Sequence, residues 1–163
     1  MMSIHAVCPG SFDPVTKGHI DIIGRAAEMY DRVTVLVTAN PNKPSGMFSV
    51  EERKDLIRAA VAEAGGLENV SVDHWAGLLV DYTNAHGVSV LVKGLRTALD
   101  YEYELPMAQM NRKLSGIDTA FLMTDPAYGY ISSTLCKEVV KYGGNVDDML
   151  PSAVSVAMKQ KLG

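Results

Sequence analysis

Largely apolar, β-branched runs of strand length recur along the chain, and the stretches between them carry their apolar residues at helical spacing. Residues 4–8 (IHAVC) and 32–38 (RVTVLVT) predict two buried strands. Between them, residues 16–30 place Ile20, Ile23, Ala27 and Tyr30 on one helical face. Residues 49–65 (SVEERKDLIRAAVAEAG) open with Ser49 and Glu52 three apart, the pattern of a capping box, and close on a glycine. The alternation continues with a strand at 69–75 (NVSVDHW), a short helix at 78–87 and a strand at 89–94 (SVLVKG). A long helix over 99–114, a strand at 119–124 (TAFLMT) and closing helices at 132–144 and 152–163 complete it.

Strands alternating with helices at this spacing predict βαβ units and a parallel sheet covered on both faces. The fold expected is α/β: a single-domain doubly wound, Rossmann-like sheet of five parallel strands with helices on both faces, spanning residues 1–163. Right-handed crossovers then bring every strand-to-helix turn to one edge, at the carboxyl ends of the strands.

Composition narrows the function classes. A hydrophobic content of 47% against 21% charged residues belongs to a folded globule. The formal net charge of −4 gives no basic footprint, so general nucleic-acid binding is not expected, although a local anion site needs only a few aimed donors. Cys8 and Cys136 stand far apart and form no Cys-x-x-Cys motif, which suits a reducing cytoplasm. The N-terminus carries no basic segment followed by an apolar stretch, and no run reaches the ~18 apolar residues of a membrane span. A soluble cytoplasmic protein is expected.

The richest chemistry lies just after the first strand, in residues 9–22 (PGSFDPVTKGHIDI). Gly10 and Gly18 allow close approach, Pro14 suits a helix entrance, and His19 falls about one turn into the helix, where it can donate to an oxyanion. The alternative is a turn shaped by glycines with His19 as an ordinary surface residue. Other strand ends add Lys43 in residues 39–48 (ANPNKPSGMF) and the pair Lys93 and Arg96 around Gly94 (VKGLRT). Ser132, Ser133 and Thr134 follow PAYGY at a helix start, where one hydroxyl serves as a cap or all three face a polyphosphate. No P-loop, no G-x-G-x-x-G and no G-x-S-x-G is present. His5, His19, His74 and His86 are not spaced as metal ligands, so no protein metal cage is expected. Leu78, Leu79, Met107, Met110 and Asn111 read equally as core packing or as the lining of a long apolar slot.

Three segments, PGSFDPVTKGHIDII, KGLRTALDYEYELPMAQMNRKL and YISSTLCKEVVKYGGNVDDMLP, together resemble the nucleotidylyltransferases with a T/H-x-G-H signature, and within them the phosphopantetheine adenylyltransferase family. The likeness runs over almost the whole chain. It implies an enzyme of coenzyme A biosynthesis that joins ATP and 4′-phosphopantetheine into dephospho-coenzyme A and pyrophosphate, by direct in-line transfer. It implies that Ser11 and His19 contact the transferring region, that Phe12 and Asp13 line the turn, and that Lys43 neutralises phosphate and orients the nucleophile. Lys93 would grip phosphate, Arg96 and Ser132, Ser133 and Thr134 the ATP tail, and Gly94, Tyr103, Glu104, Tyr128 and Ile131 would lie on the nucleotide side. Leu78, Leu79, Met107 and Asn111 would follow the pantetheine arm, with Ser11, Lys43 and Lys93 at its phosphate. Mg²⁺ bound with ATP and a homohexamer are implied too, with neither nucleic acid nor membrane as partner.

The chain departs from the family pattern at Ser11 (commonly Thr), Thr134 (commonly Ser) and Lys93 (commonly Arg), the last keeping charge without the bidentate fork. Pro106 falls inside the long helix and threatens a kink beside Met107. Two other readings stand beside this one: a sensor that holds ATP without turning it over, and a transferase with another acceptor, such as a pyridine mononucleotide or a sugar or glycerol phosphate.

Overall fold

The computed structural model of the chain describes residues 3–39 and 46–162. Five strands, β1 (His5–Gly10), β2 (Arg32–Thr38), β3 (Val70–Trp75), β4 (Val90–Leu95) and β5 (Asp118–Met123), form one parallel sheet in the order β3-β2-β1-β4-β5. Between and after them lie α1 (Lys17–Met29), α2 (Val50–Ala64), α3 (Leu79–Ala85), α4 (Ala98–Ser115), α5 (Ser133–Lys141) and α6 (Ser152–Leu162). A 3₁₀ turn at Pro126–Tyr128 leads from β5 towards α5. The doubly wound parallel sheet expected from the alternation is present.

Side-chain alternation along the strands divides the core. Ala6, Cys8, Val33, Val35, Val37 and Val92 face one side, against Ile22 and Ile23 of α1, Ile57 of α2 and Val154 and Met158 of α6. Val7, Leu36 and Leu91 face the other, against Val80 and Tyr82 of α3 and Ile117. The second layer is thin, and α4 contributes only Asn111 as a buried residue. That helix runs unbroken through Pro106 from Ala98 to Ser115, so the proline does not end it.

Strand order reverses between β1 and β4, and here the sheet opens. β1 pairs with β2 along its whole length, from His5↔Arg32 to Gly10↔Val37, but with β4 only at Ala6↔Val90 and Val7↔Leu91. The cause is legible in the backbone. Ile4 accepts from the Arg32 amide on the β2 side, and His5 accepts from the Ser89 amide on the β4 side, so odd-numbered residues of β1 face β4. Pro9 is the next odd residue after Val7, and it has no N–H to give. The carboxyl halves of β1 and β4 therefore part. β1 extends two residues beyond the apolar run because Cys8 and Gly10 still pair with β2.

Gly94, near the end of β4, is fixed by packing. A Cβ there would stand 2.7 Å from Ile22 Cγ1 and 3.1 Å from its Cδ1. Gly94→Ala is expected to destabilise the fold by about 1–3 kcal/mol through overpacking of α1 on β4. In urea unfolding, the losses of Gly94→Ala and Ile22→Ala should be less than additive, because Ile22→Ala removes both atoms that the new methyl would meet.

Candidate active site

The parting of β1 and β4 leaves a cavity of about 620 Å³, floored by Cys8, Pro9, Gly10, Val92, Lys93 and Gly94. Its walls are the starts of α1, α4 and α5, which bring Gly18 and His19, Asp100, and Ser133 and Thr134 to the same space. Three helix N-termini, with their positive dipole ends, thus border it.

His19 is held by its own helix. Thr16 is the N-cap of α1, accepting from the His19 amide at 3.3 Å, while His19 Nδ1 accepts from the Thr16 amide at 3.0 Å. This is a capping box with histidine in the place of glutamate. Because Nδ1 accepts, the neutral ring carries its proton on Nε2 and offers a donor there. Burial, and then the positive charge of Arg96, push its pKa down to about 4. The imidazole at neutral pH is an uncharged donor rather than a cation.

The turn before α1 is set by Phe12. Its φ of +46° lies in the left-handed region that a bulky residue rarely occupies, and its ring meets the His19 ring edge-on with centroids 5.0 Å apart. Gly10 makes room for that ring, since a Cβ there would stand 3.1 Å from it. At Gly18 a Cβ would meet nothing closer than 3.5 Å, so the protein's own packing does not demand this glycine. Ser11 is exposed on the cavity rim. Asp13 turns away instead of lining the cavity. Its buried carboxylate accepts from the Met47 and Phe48 amides at 2.9 and 3.0 Å.

The cations come paired. Lys93 Nζ is 3.0 Å from Glu104 Oε2. Arg96 Nη1 donates to the Ile131 carbonyl at 3.0 Å, and Arg96 Nε to Asp100 Oδ2 at 3.3 Å. Burial works against the Asp100 carboxylate, yet hydrogen bonds from the Arg96 amide and guanidinium outweigh it and hold its pKa below the usual range. At the start of α5, Ser132 is the N-cap, accepting from the Leu135 amide, and Ser133 Oγ donates to the Pro14 carbonyl at 2.7 Å. The three hydroxyls therefore do separate things: one caps, one ties α5 to the turn after β1, and Thr134 lines the cavity with both. Cys8 lies on the floor, and burial pushes its thiol up to about 12.

The residues that the resemblance gives to ATP gather on this one cavity. Ser11, Phe12 and His19 come from the first turn; Lys93, Gly94 and Arg96 from the end of β4. Tyr103 and Glu104 come from α4, and Tyr128, Ile131, Ser132, Ser133 and Thr134 from the approach to α5. The pantetheine set is scattered. Ser11, Lys93 and Met107 line the cavity, whereas Leu78 is 60% exposed outside it, Leu79 packs on the second core layer and Asn111 is the buried residue of α4. Lys43 lies outside the described residues. Sequence reasoning missed Asp100, although its place four residues after Arg96 on a helix start signals an ion pair. It also missed Thr16, whose spacing to His19 is that of a cap.

A crevice of this kind, at the reversal of strand order, is where doubly wound α/β proteins receive nucleotide phosphates. The cytidylyltransferase-like family matches residues 7–139, from β1 into α5, which defines the class as nucleotidyltransferase. The chain is 74% identical over 157 residues to the phosphopantetheine adenylyltransferase of Corynebacterium diphtheriae, covering 96% of this chain and 97% of that protein. It is 69% identical over 156 residues to the phosphopantetheine adenylyltransferase of Corynebacterium efficiens, covering 96% of each. The chain belongs to the phosphopantetheine adenylyltransferase family. Its fold is also that of a bifunctional NMN adenylyltransferase/ADP ribose pyrophosphatase from Francisella tularensis, crystallised with AMP and a Mn ion, at a TM-score of 0.68 and 18% identity over 99% of this chain. The chain spans about half the length of that protein, 52% of it.

The depressed His19 pKa has a sign. Between about 4 and 6.5 the unfolded chain takes up a proton on this ring that the native protein refuses, so this group costs stability as pH falls through that window. Ring-nitrogen NMR should show His19 as the Nε2–H tautomer from pH 8 down to 5, with protonation only near 4.

Proposed function

We propose that the crevice transfers the adenylyl group of ATP to 4′-phosphopantetheine, giving dephospho-coenzyme A and pyrophosphate as a step of coenzyme A biosynthesis. The family membership of the chain and the names of its Corynebacterium relatives support this reading. The observation that carries it into mechanism is the uncharged His19, locked at Nδ1 and lining the crevice beside Arg96.

A phosphopantetheine oxygen, already anionic at neutral pH, attacks the α-phosphorus in line. The new P–O bond forms as the bond to the bridging oxygen breaks, and pyrophosphate leaves with that oxygen. No general base and no covalent enzyme intermediate is required. The protein's work is positioning and charge stabilisation. His19 Nε2–H donates to a non-bridging α-phosphoryl oxygen, and Ser11 adds a hydroxyl. Arg96 and the helix N-termini of α1 and α5 hold the leaving phosphates. Lys93, exchanging Glu104 for a phosphate oxygen, bridges the two substrates. Lys43 neutralises the incoming phosphate, and Phe12, Tyr103, Tyr128 and Ile131 pack about the nucleoside. Met107 lies towards the pantetheine arm, with Leu78, Leu79 and Asn111 further along it. Mg²⁺ bound with ATP would supply positive charge to the phosphates; among the described residues no group of three or more His, Cys, Asp or Glu is placed to hold a metal.

The whole chain acts as one nucleotidyltransferase domain, in the cytoplasm. Two buried free thiols, Cys8 and Cys136, suit a reducing compartment; no described helix is long and apolar enough to cross a membrane. The working assembly is a homohexamer. Leu99, Tyr101, Met110 and Leu114 leave α4 with exposed apolar positions that further copies of the chain would cover.

Purified protein given ATP, Mg²⁺ and 4′-phosphopantetheine should release pyrophosphate and form dephospho-coenzyme A. Nucleotide bound but unchanged would instead make it a sensor, and a faster reaction with nicotinamide mononucleotide or a glycerol phosphate at equal concentration would change the acceptor. His19→Ala should fold, bind ATP and lose about 10²–10³-fold in kcat, the scale of a removed transition-state donor. Light scattering should give a mass near six times 17.6 kDa, falling on Met110→Glu.

A further inference from the structure

Arg53, on α2, does not itself line the cavity, yet it grips the turn that carries Ser11 and Phe12. Its Nη1 donates to the Ser11 carbonyl at 3.2 Å and its Nε to the Phe48 carbonyl at 2.8 Å. Its Nε also lies 3.5 Å from Asp13 Oδ1. Asp13 is 7% exposed and ties the same turn to the Met47 and Phe48 amides and, at 3.5 Å, to Lys137 of α5. One guanidinium and one carboxylate thus join the turn to α2, α5 and the Gly46–Phe48 backbone. Beyond the turn the chain of contacts continues, since the Phe12 ring rests edge-on against His19.

We infer that Arg53 is a positioning residue for the adenylyl transfer, its fork holding Ser11 and the left-handed Phe12 so that Phe12 fixes the His19 ring. The inference rests on the reaction proposed above. Charge alone does not meet the requirement, because two carbonyls and a carboxylate must be reached at once from a planar group. A lysine keeps the charge and loses the fork. Gly46 offers an independent lever: a Cβ there would fall 1.7 Å from Arg53 Nη2 and 2.5 Å from Asp13 Oδ2, displacing the guanidinium without altering its chemistry.

Steady-state kinetics of wild type, Arg53→Lys, Gly46→Ala and the double variant test this, at a temperature where melting curves show each folded. The expected result is a fall in kcat of about tenfold or more in each single variant, the scale of a misplaced reacting group, with KM for ATP changed less than threefold. The double variant should fall no further than the worse single one. Unchanged kcat in folded Arg53→Lys, or a loss confined to KM, overturns the inference. If both single variants lose the fold, the pair serves stability alone and the inference also fails. A second readout does not depend on turnover: the ring-proton shifts of His19, identified with His19→Asn, should lose the Phe12 ring-current contribution in Arg53→Lys. If the wild type forms no dephospho-coenzyme A, the proposed reaction fails and this spectrum decides alone, identical His19 shifts refuting the contact chain and altered ones upholding it.

Discussion

One missing hydrogen-bond donor shapes this molecule. A parallel strand with neighbours on both sides gives alternate N–H groups to each, and Pro9 falls on the side that faces β4. Pairing with β2 runs on to Gly10, while pairing with β4 stops at Val7↔Leu91. The sheet stays whole at its amino-terminal edge and divides at its carboxyl edge. Among the described residues, the groups offered to charge stand around that division: the imidazole from α1, the cations at the end of β4 and the hydroxyls at the start of α5. A donor-bearing residue at position 9 could extend the β1–β4 ladder into the space where a nucleotide's phosphates would lie.

Electrostatically the site is more economical than its residue list suggests. Each described cation of the cavity already has an internal carboxylate, Lys93 with Glu104 and Arg96 with Asp100. The partners keep the side chains ordered before a ligand arrives, which lowers the entropy lost on binding. His19 is preorganised differently, through a neutral cap on its own helix. An uncharged donor can stabilise developing negative charge without first having to be desolvated as an ion.

The order of elements was readable because each strand is a short apolar run, as in Arg32–Thr38, and each helix keeps its period. In α1 the face expected from Ile20, Ile23, Ala27 and Tyr30 does pack on the core, but only Ile23 of these is fully buried, beside Ile22 and Ala26. The first strand was read two residues short, since proline looks like a breaker until one knows which neighbour it faces. His19, Lys93, Arg96, Ser132, Ser133 and Thr134 were visible as donors at strand ends, whereas Phe12, Gly94, Tyr103, Glu104, Tyr128 and Ile131 came only from the family resemblance; all of them line the described cavity. Spacing did not reveal that Ser133 would spend its hydroxyl on Pro14, or that Asp13 would turn inward to Met47 and Phe48, because those partners lie 119 and about 35 residues away. Leu78, Leu79 and Asn111 were grouped with Met107, but only Met107 lies on the described cavity. Helix period cannot tell a lining residue from a packing one.

Burial of Cys8 also decides what kind of small molecule could exploit the crevice. The residue belongs to the floor, but its side chain packs in the core layer and burial pushes the thiol up to about 12. A thiolate is the nucleophile in alkylation, so an electrophilic warhead aimed at this sulfur would find almost none to react with at physiological pH. An inhibitor of this crevice gains no bond from Cys8 and instead competes with the internal carboxylates of Lys93 and Arg96 for their charges.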